Sequence, residues 1–470
     1  MEQMNEDSIP TLLESATKSL ISDERTGMRA LELLPKHLFI PLFTTAIKCR
    51  QKNMLKEIVK SWPFQCLHIG SLNIDDSAYD LLEALVDGLQ VHSEQNLSSG
   101  GPKLRVLDLR SIRDCEITCY YRAQNASCFH SCVYSQNSIL TVEESQNSDR
   151  CIELSASETE NVSSRHTIEL IVNISFRCGS RIRQFIQFLK KKIQQSSGHL
   201  HLCCRKLHIN SMCVHTRKVL FLQPACINSL DMNQVHLMDL TNLFPRLIHL
   251  HRLRLIALPF QYCEGRNFQL FLAWLGKLDS LQDLCLSFFY LTGHLDRLLS
   301  VLQSQLDSLS LPSCNLSHRD VTVLSQSAQL NHITQLNLSD NNLFQGSYHS
   351  FQILLQRASR TLQHLEIRNC QITDSIFSAI LSNLSHCSEL RVFCFSFNPI
   401  SMRALKAFLQ KITACMKLQR VVYPIPLDCY EEENFHTTIN NQKLNEVQAQ
   451  VKLMLQVAKR EDMYWSIFTD

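Results

Sequence analysis

Glycine is scarce in this chain, with 11 residues among 470. No glycine-rich phosphate loop is present, and the sequence contains neither a nucleophile elbow nor an HExxH motif. The 19 histidines are spread along the chain without a grouping that suggests catalysis. We therefore expect no enzymatic activity and no cofactor.

An excess of charge of one sign and long apolar runs are also lacking. The formal net charge is +2 at pH 7, so bulk charge predicts neither a nucleic-acid-binding nor a membrane-surface protein. No apolar run approaches the roughly 18 residues that a membrane-spanning helix requires. The first ten residues, MEQMNEDSIP, are acidic and lack the apolar centre of a secretory signal, so we expect the cytosol or the nucleus. Both compartments are reducing, so the 20 cysteines are expected to be free thiols.

One spacing pattern is abundant in the C-terminal half: apolar-x-x-apolar-x-apolar-x-x-(Asn/Cys/Phe)-x-apolar. Its five copies give spacings of 25, 27, 29 and 28 residues, since they begin at Leu281, Leu306, Ile333, Leu362 and Leu390. This is the leucine-rich repeat in its longer form, in which a short strand turns and returns as a helix. A single repeat cannot bury its own apolar face, so neighbouring repeats must stack.

The repeats predict an α/β leucine-rich-repeat solenoid, a horseshoe with a parallel sheet on its concave side and helices on its convex side. A helical docking or capping region is predicted for residues 1–100 and a first, isolated repeat strand for 101–119. Residues 120–165 are rich in Ser and Asn and are predicted to form a polar, partly disordered loop. The solenoid then covers 166–430, and a C-terminal cap with a closing helix covers 431–470.

Several strings in the sequence resemble the PRAME family of leucine-rich proteins. They occur in family order at 30–39 (ALELLPKHLF), 61–64 (SWPF), 104–110 (LRVLDLR), 202–207 (LCCRKL), 293–299 (GHLDRLL), 385–390 (SHCSEL) and 423–427 (YPIPL). The resemblance covers about residues 10 to 430. Within the family, the sequence is most similar to the PRAME-like or oogenesin branch. It implies a substrate receptor of a cullin-2 RING ubiquitin ligase, docked through elongin B and C. It also implies germline expression and effects on transcription, differentiation, proliferation and apoptosis.

Two N-terminal motifs fit this expectation. The elongin-binding candidate comprises Thr11, Leu12, Ala16 and Leu20. Its spacing of four places the last three on one helix face, although the strictest form of the motif has Cys where Ala16 stands. The cullin-binding candidate comprises Leu34, Pro35, Leu38 and Leu42. The alternative is that both motifs are ordinary amphipathic helices packed on the first repeat.

A protein substrate would contact the concave strand face of such an adaptor. Side chains alternate between the two faces of a strand, so the positions between the repeat leucines point to solvent. The candidate contacts are Phe288, Gln335, Asn337, His364, Glu366 and Arg368.

A basic stretch supports an alternative function. Residues 171–230 contain ten Lys or Arg and no acid, with Lys190, Lys191 and Lys192 at the centre. One interpretation is a basic patch that binds nucleic acid or an acidic partner, or that directs nuclear import. The other is a solvated helix face whose charge is balanced by the acidic loop at 135–164. The stretch shows no regular alternation of basic and aromatic residues that would support base stacking, so direct nucleic-acid binding is not expected. A nuclear regulator of transcription or chromatin, or a plain binding scaffold, remains the alternative to the ligase adaptor.

Four cysteines have spacings that zinc sites also use. They are Cys115, Cys119, Cys128 and Cys132, with His130 between the last two. Because they lie in polar loop sequence, we predict no metal site there.

Overall fold

The computed structural model describes residues 11–64, 66–69, 79–89, 104–110, 168–176, 180–196, 198–210, 223–240, 244–345, 347–412, 415–431 and 438–467. The chain divides into two compact units. The first comprises Met1–Leu207 and His215–Ile227, and the second comprises His208–Val214 and Asn228–Asp470.

The first unit contains α1 to α6, β1 to β3 and most of β4. The helices are α1 (Leu12–Ser22), α2 (Glu24–Ala30), α3 (Phe39–Lys48), α4 (Lys52–Lys60), α5 (Tyr79–Asp87) and α6 (Ser180–Gln195). The strands are β1 (Cys66–His68), β2 (Val106–Asp108), β3 (Ile168–Phe176) and β4 (Leu200–Ile209). Short 3-10 turns cover Lys36–Leu38 and Pro224–Cys226.

Strand β2 is not isolated, contrary to the sequence prediction. It pairs in parallel with β1 on one side and with β3 on the other. The prediction missed β1 because its three residues, Cys-Leu-His, carry no repeat pattern.

The N-terminal helices pack through apolar faces. In α4 the buried residues Met54, Leu55, Ile58 and Val59 recur at helical spacing. Trp62, which follows α4, packs its ring edge-on against Phe39 and Phe43 of α3, with centroid distances of 6.1 and 5.5 Å. Pro41 sits in the first turn of α3, where its missing N–H leaves no hydrogen bond unmade.

The second unit consists of strands β5 to β13, with helices between them. The strands are β5 (Ser229–Val235), β6 (Arg252–Tyr262), β7 (Asp283–Tyr290), β8 (Ser308–Ser310), β9 (Gln335–Asn337), β10 (His364–Glu366), β11 (Val392–Cys394), β12 (Arg420–Tyr423) and β13 (Tyr464–Ile467). The helices are α7 (Leu237–Leu240), α8 (Gly265–Leu275), α9 (Leu295–Val301), α10 (His318–Gln326), α11 (His349–Ala358), α12 (Asp374–Ser385), α13 (Met402–Ile412) and α14 (Asn441–Val457). The 3-10 turns are Phe244–Arg246, Ala328–Asn331 and Leu427–Cys429.

These strands form a parallel sheet in sequence order. The register aligns the repeat leucines in a row, with Leu309 beside Leu336 and Leu336 beside Leu365. All three are at most 1% exposed. Because consecutive repeats bury one leucine row between strands and helices, the structure confirms the α/β leucine-rich-repeat solenoid.

The fourth defined position of the repeat pattern, which is Asn or Cys in four of the five copies, satisfies buried backbone groups. Asn341 donates from Nδ2 to the carbonyls of Leu311, Leu338 and Ser339. Its Oδ1 accepts from the amides of Cys314 and Leu316, both in the preceding repeat. Asn398 does the same for the repeat that contains Cys370. Each repeat with Asn at this position therefore satisfies backbone amides of the preceding repeat, which has Cys at the same position.

The sheet extends beyond the solenoid that the sequence predicts for 166–430. Strand β13 follows α14, within the predicted C-terminal cap, and pairs in parallel with β12. Trp465 of β13 packs on Phe408 and Tyr423, with ring centroids 5.7 Å away in both cases. The buried Arg460 donates to the carbonyls of Cys415 and Leu418 at 3.0 and 2.7 Å, which anchors the segment before β13.

Candidate partner-binding surfaces

Helix α1 presents most of the elongin-binding candidate to solvent. Thr11 is its N-cap and forms a capping box with Glu14, in which each side chain accepts from the other residue's backbone N–H. Leu12 is 92% exposed, Ala16 is exposed and Leu20 is half-buried. The opposite face buries Thr17 and Ile21, and the Thr17 hydroxyl lies 3.1 Å from that of Thr45 in α3. The leucine at the start of the motif is therefore not used for the chain's own packing.

The cullin-binding candidate is only partly at the surface. Pro35 is exposed, and Leu34 and Leu38 are half-buried around the turn before α3. Leu42 is fully buried at 0% exposure, since it points into the core from α3. Leu42 therefore acts in packing, and a partner can touch only the first three positions. Leu33, which the motif omits, is 87% exposed.

The three lysines of the basic stretch are not equivalent. Lys190 and Lys191 are exposed on α6. Lys192 forms a salt bridge with Asp87, the last residue of α5, and its ammonium lies 5.7 Å from the centroid of the Phe188 ring. Part of the positive charge is thus balanced within the first unit. The acidic loop at 135–164 lies outside the described residues, as do Cys115, Cys119, Cys128, Cys132 and His130.

The strand face of the second unit brings four of the six substrate-contact candidates into one network. Glu366 is its centre. Its Oε2 accepts from Asn337 Nδ2 at 3.1 Å and pairs with the Arg368 guanidinium, and its Oε1 lies 2.8 Å from His364 Nε2. We call Asn337, His364, Glu366 and Arg368 the Glu366 network. Gln335 lies beside His364 in the strand register and is exposed.

The electrostatics of the Glu366 network favour the ionised carboxylate. Burial of the carboxyl opposes ionisation, but hydrogen bonds from His364 and Arg368 and their charges outweigh burial and hold the pKa of Glu366 below its ordinary value. A carboxylate in this state contributes stability above its unfolded pKa, and that contribution is lost as pH falls through the lowered folded pKa.

Glu366→Gln should lower the free energy of unfolding at pH 7 by about 1 to 2 kcal/mol, because the charge-assisted hydrogen bonds are weakened. The difference from wild type should shrink as pH falls below about 4, where the unfolded carboxyl and then the folded one become protonated. Urea unfolding at pH 7 and at pH 3 to 4 measures this. Glu389→Gln is the matched control, because Glu389 pairs with Lys417 in an exposed salt bridge and should cost about 0.5 kcal/mol or less. The conclusion that an ionised Glu366 stabilises the network would be contradicted by equal losses of unfolding free energy in both variants. A Glu366→Gln loss that does not depend on pH would also contradict it.

Phe288 lies apart from the Glu366 network, near the end of β7. It is 39% exposed and has a positive φ of 62°. Four later repeats adopt the same left-handed conformation at the equivalent position, at Ser313, Asp340, Asn369 and Phe397. Asn and Asp tolerate this conformation, whereas a bulky aromatic is strained there. Phe397, 48% exposed, is a candidate that sequence reasoning missed, although the repeat alignment places it at the position of Phe288.

Two further exposed aromatics lie on β6 and β7. Tyr262 and Tyr290 are neighbours in the strand register, and their ring centroids are 5.4 Å apart. They are 64% and 37% exposed. Tyr262 follows the break in register after Ile256, so no repeat spacing could have identified it. Exposed aromatic pairs are typical of protein interfaces.

The comparisons with known proteins place the chain in a family. A model of the PRAME N-terminal domain matches residues 9–116, and a model of the PRAME C-terminal domain matches residues 168–468. The chain belongs to the PRAME family. Human PRAME family member 14 is 32% identical, covering 89% of this chain and 86% of that protein. Human and mouse leucine-rich repeat-containing protein 14 are each 28% identical, covering 97% of both chains.

The solved structures add little to this PRAME-family assignment. A leucine-rich repeat protein of Leptospira interrogans matches with a TM-score of 0.25 and 12% identity, over 63% of this chain and 89% of that one. Family membership and the repeat fold together support a role in protein interaction. No helix in the described part of the chain is long and apolar enough to cross a membrane.

Proposed function

We propose that this PRAME-family chain is a non-catalytic substrate-recognition adaptor of a cullin-2–elongin BC RING ubiquitin ligase. Leu12 carries the proposal, because a leucine that is 92% exposed on a capped helix is free to enter a pocket on elongin C. The small Ala16 one turn later allows the two backbones to approach. Leu34, Pro35 and Leu38 would contact cullin-2, and Leu42 would support them from the core.

The strand face of the second unit would hold the protein substrate. It offers polar groups in the Glu366 network and aromatic side chains at Phe288 and Tyr290. Interfaces commonly combine aromatic anchors with a polar surround. The RING subunit and its conjugating enzyme would supply the chemistry, while the adaptor contributes proximity between substrate and ubiquitin. Degradation of the substrate would produce the effects on transcription, differentiation, proliferation and apoptosis that the family resemblance implies.

Leu12→Asp should weaken the capture of purified elongin B–C by at least about 30-fold, since loss of an interface anchor costs about 2 kcal/mol or more. Folding should be unaffected, because Leu12 is exposed and an acid in the first turn suits the helix dipole. Binding of immobilised full-length chain to elongin B–C, with and without cullin-2, measures this. Leu38→Asp should retain elongin B–C and lose cullin-2.

Leu453→Asp is the matched control, since Leu453 is an exposed leucine on α14 of the second unit, at 59% exposure. It should bind like wild type, and thermal melts should show that all variants are folded. If wild type captures neither partner, or if Leu453→Asp weakens capture as much as Leu12→Asp does, the ligase proposal fails. The chain would then be a binding scaffold whose N-terminal helices only pack.

A further inference from the structure

Three metal-ligating side chains converge in the first unit, on β4 and on the 3-10 turn Pro224–Cys226. His201 and Cys203 are two residues apart on β4, which places them on the same face of the strand. Cys226 ends the 3-10 turn Pro224–Cys226. His201 Nε2 lies 3.3 Å from Cys226 Sγ, and one ligand atom from each of the three residues lies within 4.8 Å of the others. Both cysteines are fully buried and His201 is half-buried.

We propose that His201, Cys203 and Cys226 bind one zinc ion. Zinc takes thiolate at about 2.3 Å and imidazole at about 2.0 to 2.1 Å in a tetrahedral arrangement, so its N and S ligands lie ~3.5 Å apart. The observed 3.3 Å separation is close to that value. Two thiolates balance the two positive charges of zinc, which suits a buried position. Binding forms two Zn–S bonds and one Zn–N bond, and it releases the two thiol protons to solvent.

The fourth coordination position has a donor nearby. The Gln223 amide oxygen lies 3.9 Å from Cys226 Sγ, on the turn that carries Cys226. This oxygen, or a water reaching the site past the half-buried His201, completes the tetrahedron. The ion then links β4 to the turn at 224–226, so metal binding stabilises the first unit.

A second cluster in the second unit shows why the first is the better zinc site. His364, Glu366 and Cys394 also approach one another within 4.8 Å. There, however, Arg368 and Asn337 already donate to Glu366. A cation at that cluster would have to displace a guanidinium and lie beside its positive charge. The first cluster instead offers two thiolates, which are softer ligands than a carboxylate and suit zinc better.

The test is the zinc content of the full chain, purified without a histidine tag and dialysed in the presence of a thiol reductant. Elemental analysis should find about one zinc per chain. Cobalt substituted for zinc should give thiolate-to-metal charge-transfer absorption, which weakens in Cys203→Ser and in Cys226→Ser. Zinc should be lost from the double variant. The thermal midpoint of wild type should fall when a chelator removes the ion.

Two control variants test whether cysteines outside the proposed site contribute to zinc binding. Cys204→Ala removes the adjacent buried thiol, whose Sγ donates to the Lys206 carbonyl and lies outside the cluster. Cys394→Ser removes the thiol of the second cluster. Both should keep one zinc per chain and the full cobalt absorption. The proposal is overturned if folded wild type binds no zinc, if the double variant keeps it, or if intact mass shows a Cys203–Cys226 disulfide in the metal-free protein under the same reductant.

Discussion

Asn398→Leu should lower the free energy of unfolding by about 3 kcal/mol or more. The Asn398 side chain is 3% exposed and makes five hydrogen bonds, three as donor to carbonyls and two as acceptor from amides. Leucine fills a similar volume but leaves these backbone groups buried without partners. Each such group costs about 1 to 3 kcal/mol, and the costs add incompletely.

Urea unfolding measures the overall loss for Asn398→Leu, and hydrogen exchange measures where it arises. The amides of Cys370 and Ile372 bond to the Asn398 oxygen at 2.9 and 3.0 Å, so they should lose protection first. Gln335→Leu is the matched control, because it removes an exposed amide from β9 and should change stability by about 0.5 kcal/mol or less. A loss below about 1 kcal/mol for Asn398→Leu would show that the turn relaxes to find other partners.

Phe408→Ala should cost about 3 to 5 kcal/mol, because it opens a cavity in an aromatic cluster of the second unit. The Phe408 ring is fully buried and lies 5.2 to 5.7 Å, centroid to centroid, from the rings of Phe377, Phe393, Phe395 and Trp465. Because Trp465 belongs to β13, the substitution should also loosen the last strand.

The free energy of unfolding and hydrogen exchange in β13 test the Phe408→Ala prediction. Phe397→Ala is the matched control, since it removes the same ring from an exposed turn with positive φ. Its effect should lie within about 0.5 kcal/mol of zero. If Phe408→Ala leaves exchange in β13 unchanged while stability falls, the aromatic cluster stabilises only its own repeats and does not hold the last strand.

The repeat spacing predicted β7 to β11 because each copy carries its full set of apolar positions, which fixes both the strand and its buried face. Strands β1 and β13 were missed for the opposite reason. They have three and four residues, and their pairing with neighbours, rather than their own pattern, makes them strands. Such short elements are determined by tertiary contacts that a local pattern does not contain.

The sequence likewise predicts some features of the candidate surfaces and not others. Alternation along the strands places Asn337, His364 and Glu366 on one face, since side-chain direction follows from strand geometry. Whether Asn337 and His364 form hydrogen bonds with Glu366 depends on side-chain rotamers and on the neighbouring strands, which alternation does not predict. The sequence motif also could not separate Leu38 from Leu42. Both fit the same spacing, but only Leu42 reaches the core, at 0% exposure.

The strand register separates the requirements of recognition from those of folding. Leu309, Leu336 and Leu365 form one buried row, while Ser308, Gln335 and His364, each the residue just before its leucine, form another row on the opposite face. Every residue in that outer row comes from a different repeat. Duplicated copies of such a gene can therefore diversify the outer row one position at a time while the leucines stay unchanged. A library randomised at 308, 335 and 364 offers a direct route to redirecting this scaffold to a chosen target.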